Sequence, residues 1–152
     1  MPVFPNAHFW IDLWRFQGRG LAARRAAALL ALIVCAAAPS VHALSAAEQL
    51  ASYVAQSGQT AQSTRGQAFF TTKHGHDWAC ASCHTATPTG EGKHASTGKA
   101  IRALAPAANL ERFTDAAKTE KWFRRNCNDV LGRECTPAEK ADVLAWLLTL
   151  KP

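Results

Sequence analysis

At 152 residues the chain is long enough for one domain, and its formal net charge of +6 raises nucleic acid as a possible partner. That charge is unevenly spread: within residues 1–43, Arg15, Arg19, Arg24 and Arg25 face a single acid, Asp12, and the rest of the chain is close to balance. No continuous basic patch remains, which excludes a nucleic-acid partner.

Arg24 and Arg25 precede an apolar run over residues 26–38, and Pro39 breaks it before Val41-His42-Ala43. The run has signal-peptide length and is too short for a comfortable membrane span. We expect cleavage after Ala43, so that residues 1–43 are a signal peptide and residues 44–152 an exported, periplasmic domain without stable membrane insertion. A retained anchor is the alternative. Of the five cysteines, Cys35 leaves with the signal and Cys80 and Cys83 belong to a separate motif, so Cys127 and Cys135 remain. In an oxidising compartment that even pair is most simply a disulfide.

In chain order, residues 46–57 read as a helix with Leu50, Tyr53 and Val54 on one side and Gly58 as its stop. Residues 64–72 read as a second helix, containing Gly66, Phe69 and Phe70. A long loop over residues 85–106 is punctuated by Pro88, Gly90, Gly92, Gly98 and Pro106, and a loop of that length needs something large to hold it. A helix starting at Thr114 or Asp115 runs to Leu131, with Gly132 as its stop. It carries Trp122, Phe123, Asn126, Cys127 and Val130 on one face. Thr136-Pro137-Ala138-Glu139 combines a capping box with proline at the first helical position. It opens a last helix whose stripe is Ala141, Leu144, Leu147 and Leu148, joined by Val143, Trp146 and Leu150. No strand pattern is visible, and the domain is expected to be all-α with four to five short helices.

Cys-Ala-Ser-Cys-His at residues 80–84 has the spacing that c-type haem attachment requires. Two thiols so separated add across the two haem vinyl groups, and the adjacent histidine comes to lie under the iron. We therefore expect one covalent haem c on Cys80 and Cys83, with His84 as proximal ligand. A redox dithiol would call for strands in a βαβ pattern, and a zinc site for a second close pair; neither is present. The porphyrin also supplies the apolar volume that so small a helical core lacks.

The sixth ligand is restricted by composition. The one methionine is Met1, within the expected signal, so a histidine/methionine haem is excluded. His74, His76 and His94 are the remaining histidines of residues 44–152, the first two close to the motif and the third in the long loop. Asn126 lies one turn after Trp122 and one before Val130, so it faces inward, and a buried amide needs a partner. Iron can be that partner, and so can backbone or a propionate. Lys99 and Arg102 can pair with propionates or stay solvated.

Beyond the haem motif, an ordered series of segments is informative. It comprises Thr97-Gly98-Lys99, Ile101, Leu104-Ala105-Pro106, Asn109, Arg112-Phe113-Thr114-Asp115, the run from Asn126 through Cys135, and Thr136-Pro137-Ala138-Glu139-Lys140-Ala141. Together with residues 80–85 they resemble the sphaeroides haem protein and cytochrome c″ family, unusual members of the class I cytochrome c fold, over nearly all of residues 44–152. Gly66 and Phe70, with Trp146, resemble the helix-crossing contact of that fold. The resemblance implies a sixth ligand immediately before the first disulfide cysteine. Histidine stands there in one branch and asparagine in the other; here it is Asn126. It also implies a Cys127–Cys135 disulfide, and a dihaem cytochrome c or membrane cytochrome b as electron donor.

A neutral amide holds ferric iron better than ferrous iron. The expected function is therefore electron transfer by a monohaem cytochrome whose ferrous site opens to oxygen, nitric oxide or another small diatomic gas. Two alternatives are a bis-histidine electron carrier using His74, His76 or His94, and an enzyme reducing oxygen, peroxide or nitric oxide. For the enzyme, Arg124 and Arg125 are the obvious polar donors beside Asn126, and no acid–base pair can be assigned.

Overall fold

The computed structural model describes residues 43–152. The expected signal peptide, residues 1–43, lies outside them apart from Ala43. Five helices follow in order: α1 (Ala46–Ser57), α2 (Ser63–Thr71), α3 (Ala81–His84), α4 (Ala116–Leu131) and α5 (Pro137–Leu147). Between α3 and α4 lie two short strands, β1 (Gly92–Lys93) and β2 (Ala100–Ile101). Among the described residues no helix is long and apolar enough to cross a membrane.

The helix ends are written into local chemistry. Ser45 Oγ accepts the Glu48 N–H at 3.2 Å while the Ser45 N–H donates to the Glu48 carboxylate at 2.7 Å, closing a reciprocal box before α1. Thr136 and Glu139 repeat it before α5, with Pro137 in the first turn. Asp115 accepts the Lys118 N–H at 2.9 Å and starts α4, and left-handed Gly132 ends it.

Helix α5 is the axis of the fold. Ala141 and Leu144 meet Ala46 and Tyr53 of α1, forming one cluster, while Val143, Trp146 and Leu147 meet Phe70 of α2 in a second. The expected apolar positions thus bury α5 on two sides, Lys140 and Asp142 are buried with them, and Leu148 and Leu150 are only partly buried. The α2–α5 crossing is very close, since a Cβ on Gly66 would stand 1.9 Å from the Asp142 carbonyl oxygen. Phe70 and Trp146 meet one turn further on in a tilted contact, with ring centroids 5.0 Å apart. Asp142, buried at the same crossing, is held by the Arg65 guanidinium and by the Gln62 N–H at 2.7 Å. A buried carboxylate is tolerable only when paired in this way.

The absence of strands needs a correction. Gly92 pairs with Ile101 and Lys93 with Ala100 in an antiparallel ladder, closed by the His94 N–H on the Lys99 carbonyl at 2.8 Å. Two residues per strand are too few to show a period of two in sequence. The fold remains all-α, and the ladder shapes part of the long loop.

Candidate haem site

The motif is a single turn of helix. Cys80 caps α3, and the His84 N–H donates to the Cys80 carbonyl at 3.1 Å. Positions three and four apart on a helix share a side, so Cys83 and His84 lie on the same side as Cys80. Both thiols are free and partly buried. Burial pushes the Cys80 thiol up to about 11, with the Cys83 charge adding to it against a backbone hydrogen bond, so it stays protonated. Cys83 Sγ accepts the Ala95 N–H at 3.2 Å. Gly92 closes over the turn, where a Cβ would stand 2.2 Å from the Cys83 carbonyl oxygen.

Directly after His84 the chain turns sharply at Thr85, whose φ of 68° is a costly conformation for a β-branched residue. His84 itself has its ring 6.2 Å from that of Phe70 and makes no side-chain hydrogen bond among the described residues. Burial, and then the charge of Arg112, pulls its pKa down to about 4. The imidazole is therefore neutral at ordinary pH, with a lone pair free for a metal. Arg112 is anchored by donating to the Ala103 carbonyl at 2.9 Å and the Arg102 carbonyl at 2.7 Å. Of the two basic residues able either to pair with propionates or to stay solvated, Arg102 is paired with Glu111 at 2.7 Å and Lys99 is exposed. Arg112, which the sequence reading did not single out, is the cation that acts on His84. Its signal was its position in the Arg112-Phe113-Thr114-Asp115 segment.

Cys80 and Ala81 pack against the same apolar cluster as Phe69, Leu104, Phe113 and Phe123. The haem motif and α4 thus share one core. Trp78 beside the motif and Trp122 on α4 keep 38% and 43% of their surface exposed, large apolar area for so small a domain. A free thiol pair, an unpartnered neutral imidazole and uncovered aromatic surface fit covalent haem c.

Asn126 is half-buried one turn beyond Trp122, and its amide has no hydrogen-bond partner among the described residues. The next residue, Cys127, is joined to Cys135 with their Cα atoms 5.6 Å apart. The histidines are less available. His74 Nε2 lies 2.8 Å from the Phe69 carbonyl, with its ring against Phe69. His94 Nδ1 accepts the Thr97 N–H at 3.3 Å within its own turn. His76 is exposed, and its ring lies against Gly132 at the end of α4. Arg125 stacks over Trp122 at 5.7 Å.

Residues 56–147 match a family model described as a domain of unknown function, DUF1924. The chain is 50% identical over 107 residues to the cytochrome c-type protein SHP of Cereibacter sphaeroides, covering 68% of this chain and 82% of that protein. It is 50% identical over 90 residues to cytochrome c″ of Methylophilus methylotrophus, covering 57% of this chain and 62% of that one. The structure of oxidized SHP, described as an oxygen binding cytochrome c, superposes with a TM-score of 0.64 at 49% identity, over 69% of this chain and 96% of that chain. Oxidized cytochrome c″ from Methylophilus methylotrophus gives 0.62 at 42% identity, over 70% and 95%.

Proposed function

This chain belongs to the DUF1924 family, that of SHP and cytochrome c″, and carries covalent haem c; on that premise we propose a periplasmic electron carrier in which Asn126 binds ferric iron and leaves on reduction. The reading extends to export by residues 1–43, to attachment through Cys80 and Cys83, and to proximal ligation by His84. The observation that carries it is the half-buried, unpartnered amide of Asn126 on α4, next to a cysteine tied to the start of α5.

When bound, haem c would supply a one-electron couple and an exchangeable ligand position. His84 offers a neutral imidazole on the proximal side, and Arg112 adds positive charge nearby for carboxylate groups. Asn126 offers only a neutral amide. It holds the ferric state through the extra positive charge and loses that advantage on reduction. With Asn126 withdrawn, oxygen, nitric oxide or another small diatomic gas can bind the ferrous state. Oxygen is supported by the description of a 49% identical relative as an oxygen binding cytochrome c. A dihaem cytochrome c or a membrane cytochrome b is the proposed electron donor.

Substitution at one position tests the reading. Asn126→Ala opens the ferric state to water and leaves the ferrous state almost unchanged, while Asn126→His gives a low-spin ferric spectrum with two histidines. Absorption and electron paramagnetic resonance spectra report both. A ferric spectrum indifferent to Asn126→Ala contradicts the proposal.

A further inference from the structure

Helix α4 is joined to α5 by the Cys127–Cys135 link, by Phe123 in the apolar clusters and by one polar contact. Lys140 of α5, which keeps 8% of its surface exposed, donates to Glu120 of α4 at 2.7 Å. Its ammonium also lies 5.5 Å from the centre of the Tyr53 ring and 5.9 Å from that of Phe123. Tyr53 of α1 meets Phe123 edge-on at 5.8 Å. One α1 turn earlier, Gln49 Nε2 donates to the Phe113 carbonyl at 2.6 Å. Phe113 has a φ of 60°, a conformation that a bulky residue keeps only when its surroundings enforce it, and it leads directly into the Asp115 cap of α4.

We propose that the Lys140–Glu120 contact, braced by Tyr53 and Gln49 of α1, is a positioning device that holds α4 so that Asn126 is presented to the haem iron. This rests on the reading of Asn126 as the sixth ligand. The contact lies six residues before Asn126 and the Cys127–Cys135 link one residue after it, so the ligand is clamped from both ends. A buried lysine is costly to hold by packing alone, and here its charge is met by Glu120 of α4. Loosening the clamp lowers the fraction of protein with Asn126 in binding position, and an outside ligand then meets less competition.

Imidazole added to the ferric holoprotein is a suitable probe, because it competes with Asn126 directly. Lys140→Met keeps the apolar stem, and the freed Glu120 stays hydrated because it lines a surface groove of about 140 Å³. We expect imidazole affinity in the ferric state to rise on the order of tenfold, with carbon monoxide affinity in the ferrous state unchanged. Glu120→Gln shifts ferric imidazole affinity in the same direction and serves as the second variant. In an Asn126→Ala background, Lys140→Met adds nothing. If Asn126→Ala raises imidazole affinity and Lys140→Met does not, the clamp is wrong and the ligand stands. If Asn126→Ala itself has no effect, the ligand reading fails instead. An equal rise in ferric and ferrous affinities, or a rise that persists without Asn126, makes the contact merely structural and overturns the positioning role.

Discussion

Cys80, Cys83 and His84 occupy one turn, and this geometry is the reason the motif could be read without a structure. The spacing between the thiols has to match the vinyl groups, and helical periodicity then sets the histidine on the same side. Cys80→Ala and Cys83→Ala are each expected to cut the yield of holoprotein sharply, measured as haem retained on the polypeptide after acid–acetone extraction. Full extraction of pigment from the unmodified protein contradicts covalent attachment. Other single residues were much less legible. Arg112 acts on His84 from 28 positions further along the chain, a pairing that no local pattern encodes. Phe113 adopts its left-handed conformation because Gln49 and the aromatic core impose it, and nothing about phenylalanine favours that conformation on its own.

At the scale of elements, the capped helices were the most readable, because a capping box is a local contract among four consecutive residues. Residues 46–57 are helical as expected, while α2 begins and ends one residue earlier than its pattern suggested. The box before α5 also carries a pH dependence. Arg133 hydrogen bonds hold the Glu139 carboxyl below its ordinary range against burial, with further help from Thr136 and the Arg133 charge. A value lower in the folded state means that this stabilisation is complete above the unfolded pKa of about 4.3. It is lost as pH falls through the lower folded value. Glu139→Gln is thus expected to destabilise the protein at pH 7 and to cost progressively less under acid conditions, in denaturant titrations at several pH values. Thr136→Ala removes the other half of the box and costs about 1 kcal/mol at pH 7. A penalty for Glu139→Gln that does not change with pH contradicts the assignment.

Over the whole molecule, the helix crossing at Gly66 sets how the two clusters on α5 come together. Gly66, Phe70 and Trp146 were recognisable as its ingredients. The buried charges at the same helix were not, since Asp142 finds its partner 77 residues away and Lys140 finds Glu120 across 20. In sequence, both look like ordinary solvent-facing positions on an amphipathic helix. Gly66→Ala drives a methyl group into the α5 backbone and is expected to destabilise the fold by about 3 kcal/mol, measured by thermal or denaturant unfolding of the holoprotein. A loss within experimental error would mean that α2 can move away from α5 at little cost.

The most direct test of this account is the spectrum of the unmodified protein in both oxidation states, followed by carbon monoxide. The ferrous form is predicted to be high-spin and five-coordinate and to bind carbon monoxide readily once Asn126 has left. A ferrous form that stays low-spin and excludes carbon monoxide contradicts the account, because a stronger ligand such as His76 or His94 would then be holding the site.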